Sequence, residues 1–344
     1  MIDKSSEFNR DIIQGAILVE DTSSAILRII GWVALGAVVV ALLLAPMSLS
    51  SYGLFLLSFW AVITIAVQGL NLTMGYAGKI SLAQAAFMGI GAYSSTLLIQ
   101  GTGMNYWVGL VIAAVVCTII GALIGFPALR VQGHYLAFVT LGFNELVILV
   151  LRNEDWLTGG PLGVLDIVRP SIFGFSLFEP ARFYYFCMVM LALVSLAMWY
   201  IIRSPWGRAF KALRDNPYRA ESLGLSTTTY TLLAFAIGSG LAGIAGAMLA
   251  PLVEFIDPQS FGLHRSLIFL LMVMVGGRGT LAGPFIGVFF VILLPEWLRF
   301  TEEYYLIIFS IFVILLIVYF PQGVAGIGPY LQKRFSSNQQ KEAT

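Results

Sequence analysis

Ten apolar segments divide the 344-residue chain, at about 26–46, 53–73, 82–99, 107–126, 135–151, 183–202, 227–250, 264–275, 281–299 and 303–320. A helix needs about 20 apolar residues to cover a hydrocarbon core. No water is available there, so backbone polar groups must be satisfied within the segment or by a packed neighbour. The pattern predicts an all-α polytopic membrane protein of about ten transmembrane helices, occupying residues 26–325. The eighth segment is short and the third opens from a glycine-rich stretch, so both are expected to be broken or re-entrant. Composition agrees, with 59% hydrophobic and 11% charged residues against about 25% charged in soluble domains. Nineteen basic and 18 acidic residues leave no basic surface of the kind nucleic acid requires.

Orientation follows from lysine and arginine. With the basic segment 203–219 on the cytoplasmic side, ten crossings place both termini inside. Fourteen of the 19 cationic residues then lie inside, and Arg152, Arg169, Arg182, Arg265 and Arg299 lie outside. Residues 152–181 become a long extracytoplasmic loop and 251–263 a shorter one; loops of that length act as lids or docking surfaces, or as plain connectors. Residues 1–25 lack the apolar core of a cleavable leader. Their Phe8, Ile12, Ile13 and Ile17 follow helical spacing, with Thr22 placed to cap the first span, so they are expected to be a surface helix or a tail. Residues 326–344 are expected to be a disordered cytoplasmic tail.

Three stretches exceed what packing alone requires. In 71–93, Gly75 and Gly78 break the helix, Ser81 can cap a new one, and Lys79 places a charge at the break. The positive end of the restarted helix could meet an anionic group, and Ala85, Ala86, Gly89, Gly91 and Ala92 form a small-residue face. Tyr76, Lys79, Ser81 and Gln84 are therefore candidates for a substrate path. So are Asn144 and Glu145 in the fifth span, where an ionisable group is costly unless it faces a cavity or a partner. Gly276, Gly277 and Gly279 in VGGRGTLAGPFIG repeat the break, suggesting internal pseudo-symmetry.

The third stretch, 203–225 (RSPWGRAFKALRDNPYRAESLGL), reads as a helix-turn-helix on the cytoplasmic face. Apolar Phe210 and Leu213 face the protein, and charges including Arg208, Arg214 and Asp215 face out, with Gly207 and Gly224 at its turns. That arrangement suits docking against another protein. Cys117 and Cys187 lie in apolar runs and read as small core residues, with neither a disulfide framework nor a metal cluster expected. The two histidines, His134 and His264, are far apart and fit no metal spacing. No nucleophile elbow, paired intramembrane aspartates or phosphate-binding loop is present. No enzyme chemistry, cofactor or metal is expected of this chain.

The runs GLNLTMGYAGKISLAQAAFMGIGAY, GHYLAFVTLGFNEL with LTGGPLGV, GRAFKALRDNPYRAESLGL and LLMVMVGGRGTLAGPFIGV occur in family order. They resemble the LivM-type permeases, membrane subunits of bacterial branched-chain amino-acid ABC importers, over residues 50–325. The resemblance implies a bacterial inner-membrane importer subunit carrying leucine, isoleucine and valine. It also implies a second, LivH-like permease, two cytoplasmic ATPase subunits that use ATP and Mg, and a periplasmic binding protein. Gly207 to Gly224 resemble the loop that couples to an ATPase, with Ala220, Glu221 and Gly224 matching its Ala-Glu-x-x-Gly core. His134, Asn144 and Leu162 depart from the family pattern and bear on substrate. Urea, short amides, and aromatic or other carboxylates are the alternative cargoes, and a proton-coupled secondary transporter using Glu145 is the alternative mechanism.

Overall fold

The computed structural model describes residues 36, 40–128, 135–165, 167, 169–172, 175–298, 304–320 and 323–326. The expected surface helix in 1–25, His134, and residues 327–344 of the expected tail lie outside these. The chain divides into two compact units, Met1–Leu54 and Phe55–Thr344. Within the first, residues 40–48 form helix α1 and Ser51 opens α2.

Helix α2 (Ser51–Leu70), most of it in the second unit, runs into a π-turn, Asn71–Tyr76. Such turns interrupt the regular backbone ladder and frequently mark functional positions. The chain is then non-helical until α3 (Gln84–Thr102), which gives the break expected in the third segment. Next come α4 (Tyr106–Ala128), α5 (Tyr135–Asn153) and the single turn α6 (Asp155–Thr158). A two-residue hairpin, β1 (Ser171–Ile172) with β2 (Phe175–Ser176), pairs Ser171 with Ser176. It is the small departure from an all-α chain. Its place is the loop 152–181, outside the apolar segments, where strand edges can meet water.

The remaining elements are α7 (Pro180–Arg203), α8 (Pro205–Asp215), α9 (Pro217–Ser222), α10 (Thr227–Val253) and α11 (Leu263–Gly276). They are followed by α12 (Gly283–Val288), a π-turn Phe289–Leu293, α13 (Leu294–Leu298) and α14 (Tyr305–Tyr319). Six helical stretches among the described residues are long and apolar enough to cross a membrane: Ser51–Tyr76, Tyr106–Phe126, Tyr135–Asn153, Pro180–Arg203, Thr227–Val253 and Pro258–Gly276. The chain is thus a multi-pass membrane protein. Gln84–Thr102 has the length, but hydroxyls, amides and glycines dilute its apolar character.

The core is α10 packed against α3, α4 and the end of α2, and glycine is what permits it. A Cβ at Gly91 would collide with the backbone of Gly243, one at Gly246 with Met88 O and one at Gly69 with Gly238 O. With no apolar-solvent penalty to drive helices together in lipid, close backbone approach supplies the packing energy. A Cβ on Gly89 would instead come within 3.0 Å of the Phe261 ring. Cys117 and Cys187 are both free and buried.

The two long loops meet. Val164 and Ile256 exchange backbone hydrogen bonds of 2.9 and 3.1 Å, and Arg169 pairs with Glu254 at 2.9 Å. Glu254 adopts φ 63°, ending α10 in the left-handed conformation that turns the chain towards this contact. These contacts join the described residues of the two loops.

Candidate functional site

The two glycine breaks, 200 residues apart in sequence, sit against each other. Asn71, in the π-turn of α2, donates through Nδ2 to Thr280 O at 2.8 Å and accepts at Oδ1 from Gly279 N at 2.8 Å. A single buried amide thus ties both sides of the junction. Space there is nil: a Cβ on Gly75 would strike Asn71 Oδ1 and Gly279 N, and one on Gly279 would strike Arg214 and Gly75 O. Gly78 and Gly279 also hold φ of 71° and 74°, which L side chains rarely adopt. Gly276 packs equally tightly on Gly283, and Gly277 (φ 117°) closes α11. Thr280 bridges that turn, donating to Gly277 O at 2.8 Å and accepting from Gly283 N at 3.0 Å.

Arg214 enters this junction from α8. Its Nη1 donates to Gly75 O at 2.8 Å, while its Nε meets Asp215 at 3.4 Å. Arg214, its side chain 38% exposed, remains at the surface as the charges of α8 are expected to, but turns one guanidinium nitrogen inward. Gly75 O lies in a π-turn, where a distorted ladder leaves the carbonyl open to an outside donor, and a guanidinium can reach it. Lys211 stands 5.7 Å from the ring centroid of Tyr76. Below the junction opens a cavity of about 650 Å³ lined by Met74, Gly78, Ile80, Arg214, Asp215, Arg278 and Thr280 with Ala325 and Gly326.

The hairpin α8–α9 is built by its breaks. Ser204 caps α8 by accepting from Trp206 N, and Asn216 caps α9 by accepting from Arg219 N at 3.0 Å. Gly207 allows α8 to fold onto α7, since a Cβ there would hit Ile202 O. Phe210 and Leu213 are buried, as their spacing predicts, and so is Ala220. Arg208 is exposed, Glu221 accepts from Thr227 Oγ1, and Gly224 holds φ 84° in open space. Three large apolar side chains face outward, Trp206 at 48% exposed, Tyr218 at 73% and Leu223 at 81%. α9 begins at Pro217, which cannot donate a backbone hydrogen bond and so fits the first turn.

The restarted helix α3 is capped by its neighbours. Leu82 N donates to Thr140 Oγ1 at 2.9 Å, Ala83 N to Ser81 Oγ at 3.3 Å, Ala85 N to Ser266 Oγ at 3.1 Å and Ala86 N to Asn144 Oδ1 at 3.2 Å. Ser266 in turn donates to Asn144. Gln84 is buried, and its Nε2 donates to Ala66 O at 2.7 Å and to Gly238 O at 3.2 Å. Three of these backbone amides are satisfied by α5 and α11, and Ala83 N by Ser81 in the break itself. Asn144 Nδ2 is buried without a hydrogen-bond partner among the described residues. Lys79 is half-buried at the break, and its backbone N–H donates to Thr73 O.

Helix α5 has two different faces. Leu136, Thr140, Asn144, Val147 and Leu151 are buried towards α3. Tyr135, Phe138, Gly142, Glu145 and Leu149 are exposed, in the 3-4-3-4 spacing of a contact face, and a Cβ on Gly142 would touch nothing.

Residues 52–318 match the family described as the permease component of the branched-chain amino acid transport system. The chain belongs to this family. It is a family of transport subunits rather than enzymes. The LivM permease proteins of the high-affinity branched-chain amino acid systems of Salmonella typhimurium and Escherichia coli are 34% identical over 279 residues, covering 74% of this chain and 66% of theirs. The chain thus spans just under two thirds of the length of these relatives. The LsrC permease protein of the autoinducer 2 import system of an Enterobacter strain is 30% identical over 268 residues, 75% of this chain and 74% of its own. No solved structure matches the chain.

Three permease residues escaped the sequence reading: Asn71, Thr140 and Ser266. Asn71 left a trace, because a carboxamide inside an apolar segment is expensive unless bonded. Thr140 and Ser266 left none, since hydroxyls are common in spanning helices.

Proposed function

We propose that the chain is the membrane permease subunit of an ATP-driven ABC importer, forming half of a translocation pathway for branched-chain amino acids. The observation that carries the reading is Glu145. A carboxylate on the outer face of a spanning helix cannot rest in lipid without a cost of several kcal/mol. The Gly142–Glu145 face of α5 therefore turns to a watery path and to a second, LivH-like permease across it. The open notch at Gly142 lets that partner approach closely.

On the same reading, residues 203–225 take the stroke of two ATPase subunits, which hydrolyse ATP with Mg. Tyr218 and Leu223 supply apolar contact and Arg208, Glu221 and Gly224 the rim. A periplasmic protein delivers substrate to the layer formed by residues 152–181 and 251–263. The chain spans the inner membrane about ten times, with both termini in the cytoplasm. Affinity within the path is weak because release must be easy.

The test is a mild-detergent pull-down of the tagged full chain, followed by leucine uptake in liposomes containing the captured subunits. ATPase subunits together with a second permease, and uptake that needs ATP, are expected. A chain that purifies alone and imports on a proton gradient would overturn the reading.

A further inference from the structure

Helix α7 ends in two side chains favoured at membrane interfaces. The Arg203 guanidinium lies 4.2 Å from the ring centroid of Trp199. Ser204 turns the chain, and α8 sets Arg208 and Lys211 beside them. With Ile202 and Leu281 these residues line an open groove of about 500 Å³. Among the described residues, no carboxylate comes within ion-pair distance of Arg203, Arg208 or Lys211. The acidic side chains of this loop are engaged elsewhere, Asp215 with Arg214 and Glu221 with Thr227. Three like charges around one groove repel one another, so an entering anion relieves them.

The outer face of α7 shows what the anion is attached to. Val189, Leu193, Leu196 and Tyr200 are 57, 55, 51 and 61% exposed, in a 4-3-4 spacing that leads to Arg203. Unlike the outer face of α5, this stripe carries no acidic or basic side chain before the helix end. An acyl chain can lie along it without meeting a charge. The geometry points to a site for one anionic phospholipid, its phosphate held by Arg203, Arg208 and Lys211 and its chain on Ile202, Leu281 and the α7 stripe. Basic clusters at the ends of spanning helices bind such headgroups electrostatically. The inference shares Arg208 with the proposed ATPase contact and otherwise needs only that α7 crosses the membrane.

The test uses the full chain in mild detergent, with bound lipid counted by native mass spectrometry. One phosphatidylglycerol per chain is expected to be retained, with phosphatidylcholine at least tenfold weaker. Each basic residue near a lipid surface contributes about fivefold in affinity, so Arg203→Gln/Arg208→Gln/Lys211→Gln should lose roughly a hundredfold. Should the triple variant fail to fold, Arg203→Gln and Lys211→Gln singly should each lose about fivefold, while Arg203→Lys keeps the lipid. Equal retention of the two lipids, or unchanged affinity in the variants, would overturn the site. So would equally potent competition by glycerol 3-phosphate, which marks a soluble-phosphate site, or cross-linking of Lys211 to a partner protein in native membranes.

Discussion

Replacing Asn71 with leucine tests the junction between the two glycine breaks. The side chains are close in volume, so the change removes hydrogen bonds without opening much space. It leaves the Gly279 N–H and the Thr280 carbonyl, each now bonded to Asn71 at 2.8 Å, without partners in a tightly packed place. A buried group left unpaired costs about 1–3 kcal/mol, so the pair costs about 2–6 kcal/mol. One kcal/mol moves the melting temperature of a 150–250-residue domain by about 2–4 °C and that of a larger chain by less. Taking roughly 1–2 °C per kcal/mol, the variant should melt about 2–12 °C below the parent. Asn71→Asp should lose at least as much, because its second oxygen faces Thr280 O, acceptor against acceptor. Thr73→Val is the control: its hydroxyl bonds only back to Leu70 O in the preceding turn, so its loss should be under about 1 kcal/mol. The assay is fluorescence-detected thermal unfolding of the detergent-purified protein. An Asn71→Leu protein that melts with the parent, or no lower than Thr73→Val, would refute the claim that this amide holds the breaks together.

Gly246→Leu should abolish a folded, monodisperse product on size-exclusion chromatography, since any side chain there runs into Met88 O on α3; Gly142→Leu, in open space, should purify normally. Tyr218→Ser/Leu223→Ser should leave the thermal melt within about 2 °C of the parent, both side chains being exposed. The same variant should lower the yield of co-purified ATPase subunits by tenfold or more, which quantitative immunoblotting checks. Arg169→Met removes the ion pair to Glu254 and should raise proteolytic nicking in residues 152–181, read by limited proteolysis and mass spectrometry, with little change in melting because the pair is partly solvated.

Periodicity made the spanning helices legible: the apolar run at 183–202 lies within Pro180–Arg203, and that at 227–250 within Thr227–Val253. The broken third segment was legible too, because Gly75 and Gly78 sit where an apolar run should continue. The hairpin in 203–225 announced itself through Pro205, Pro217 and the Phe210–Leu213 spacing. What stayed hidden depends on which helices meet. Gln84 reads as a candidate because it opens a helix after a break, and nothing local reveals that it bonds to Ala66 and Gly238, backbone that only tertiary packing brings near. Arg214 reads as one more surface charge of a basic loop, and nothing local to α8 reveals that Gly75 O awaits it.

The breaks and the candidate path are linked through very few atoms. Arg214 joins α8 to the π-turn of α2, and Asn71 joins that turn to the break after α11, with no room for a side chain between them. On the proposed reading, a push on α8 would reach both breaks together, because close-packed backbones leave little room to absorb a displacement. Past the α2 break, the start of α3 hangs on Thr140 and Asn144 of α5 and Ser266 of α11. Those bonds fix the inner stripe of α5, and its outer stripe carries Glu145. Turning α5 by one residue position would bring Glu145 towards the side Asn144 now occupies and free the amides of α3 that Asn144 and Thr140 hold. The same rotation would change both the charge facing the path and the hydrogen bonds at the helix break, so an Asn144→Leu variant should alter substrate exit and the melting temperature together, whereas Glu145→Gln should alter exit alone.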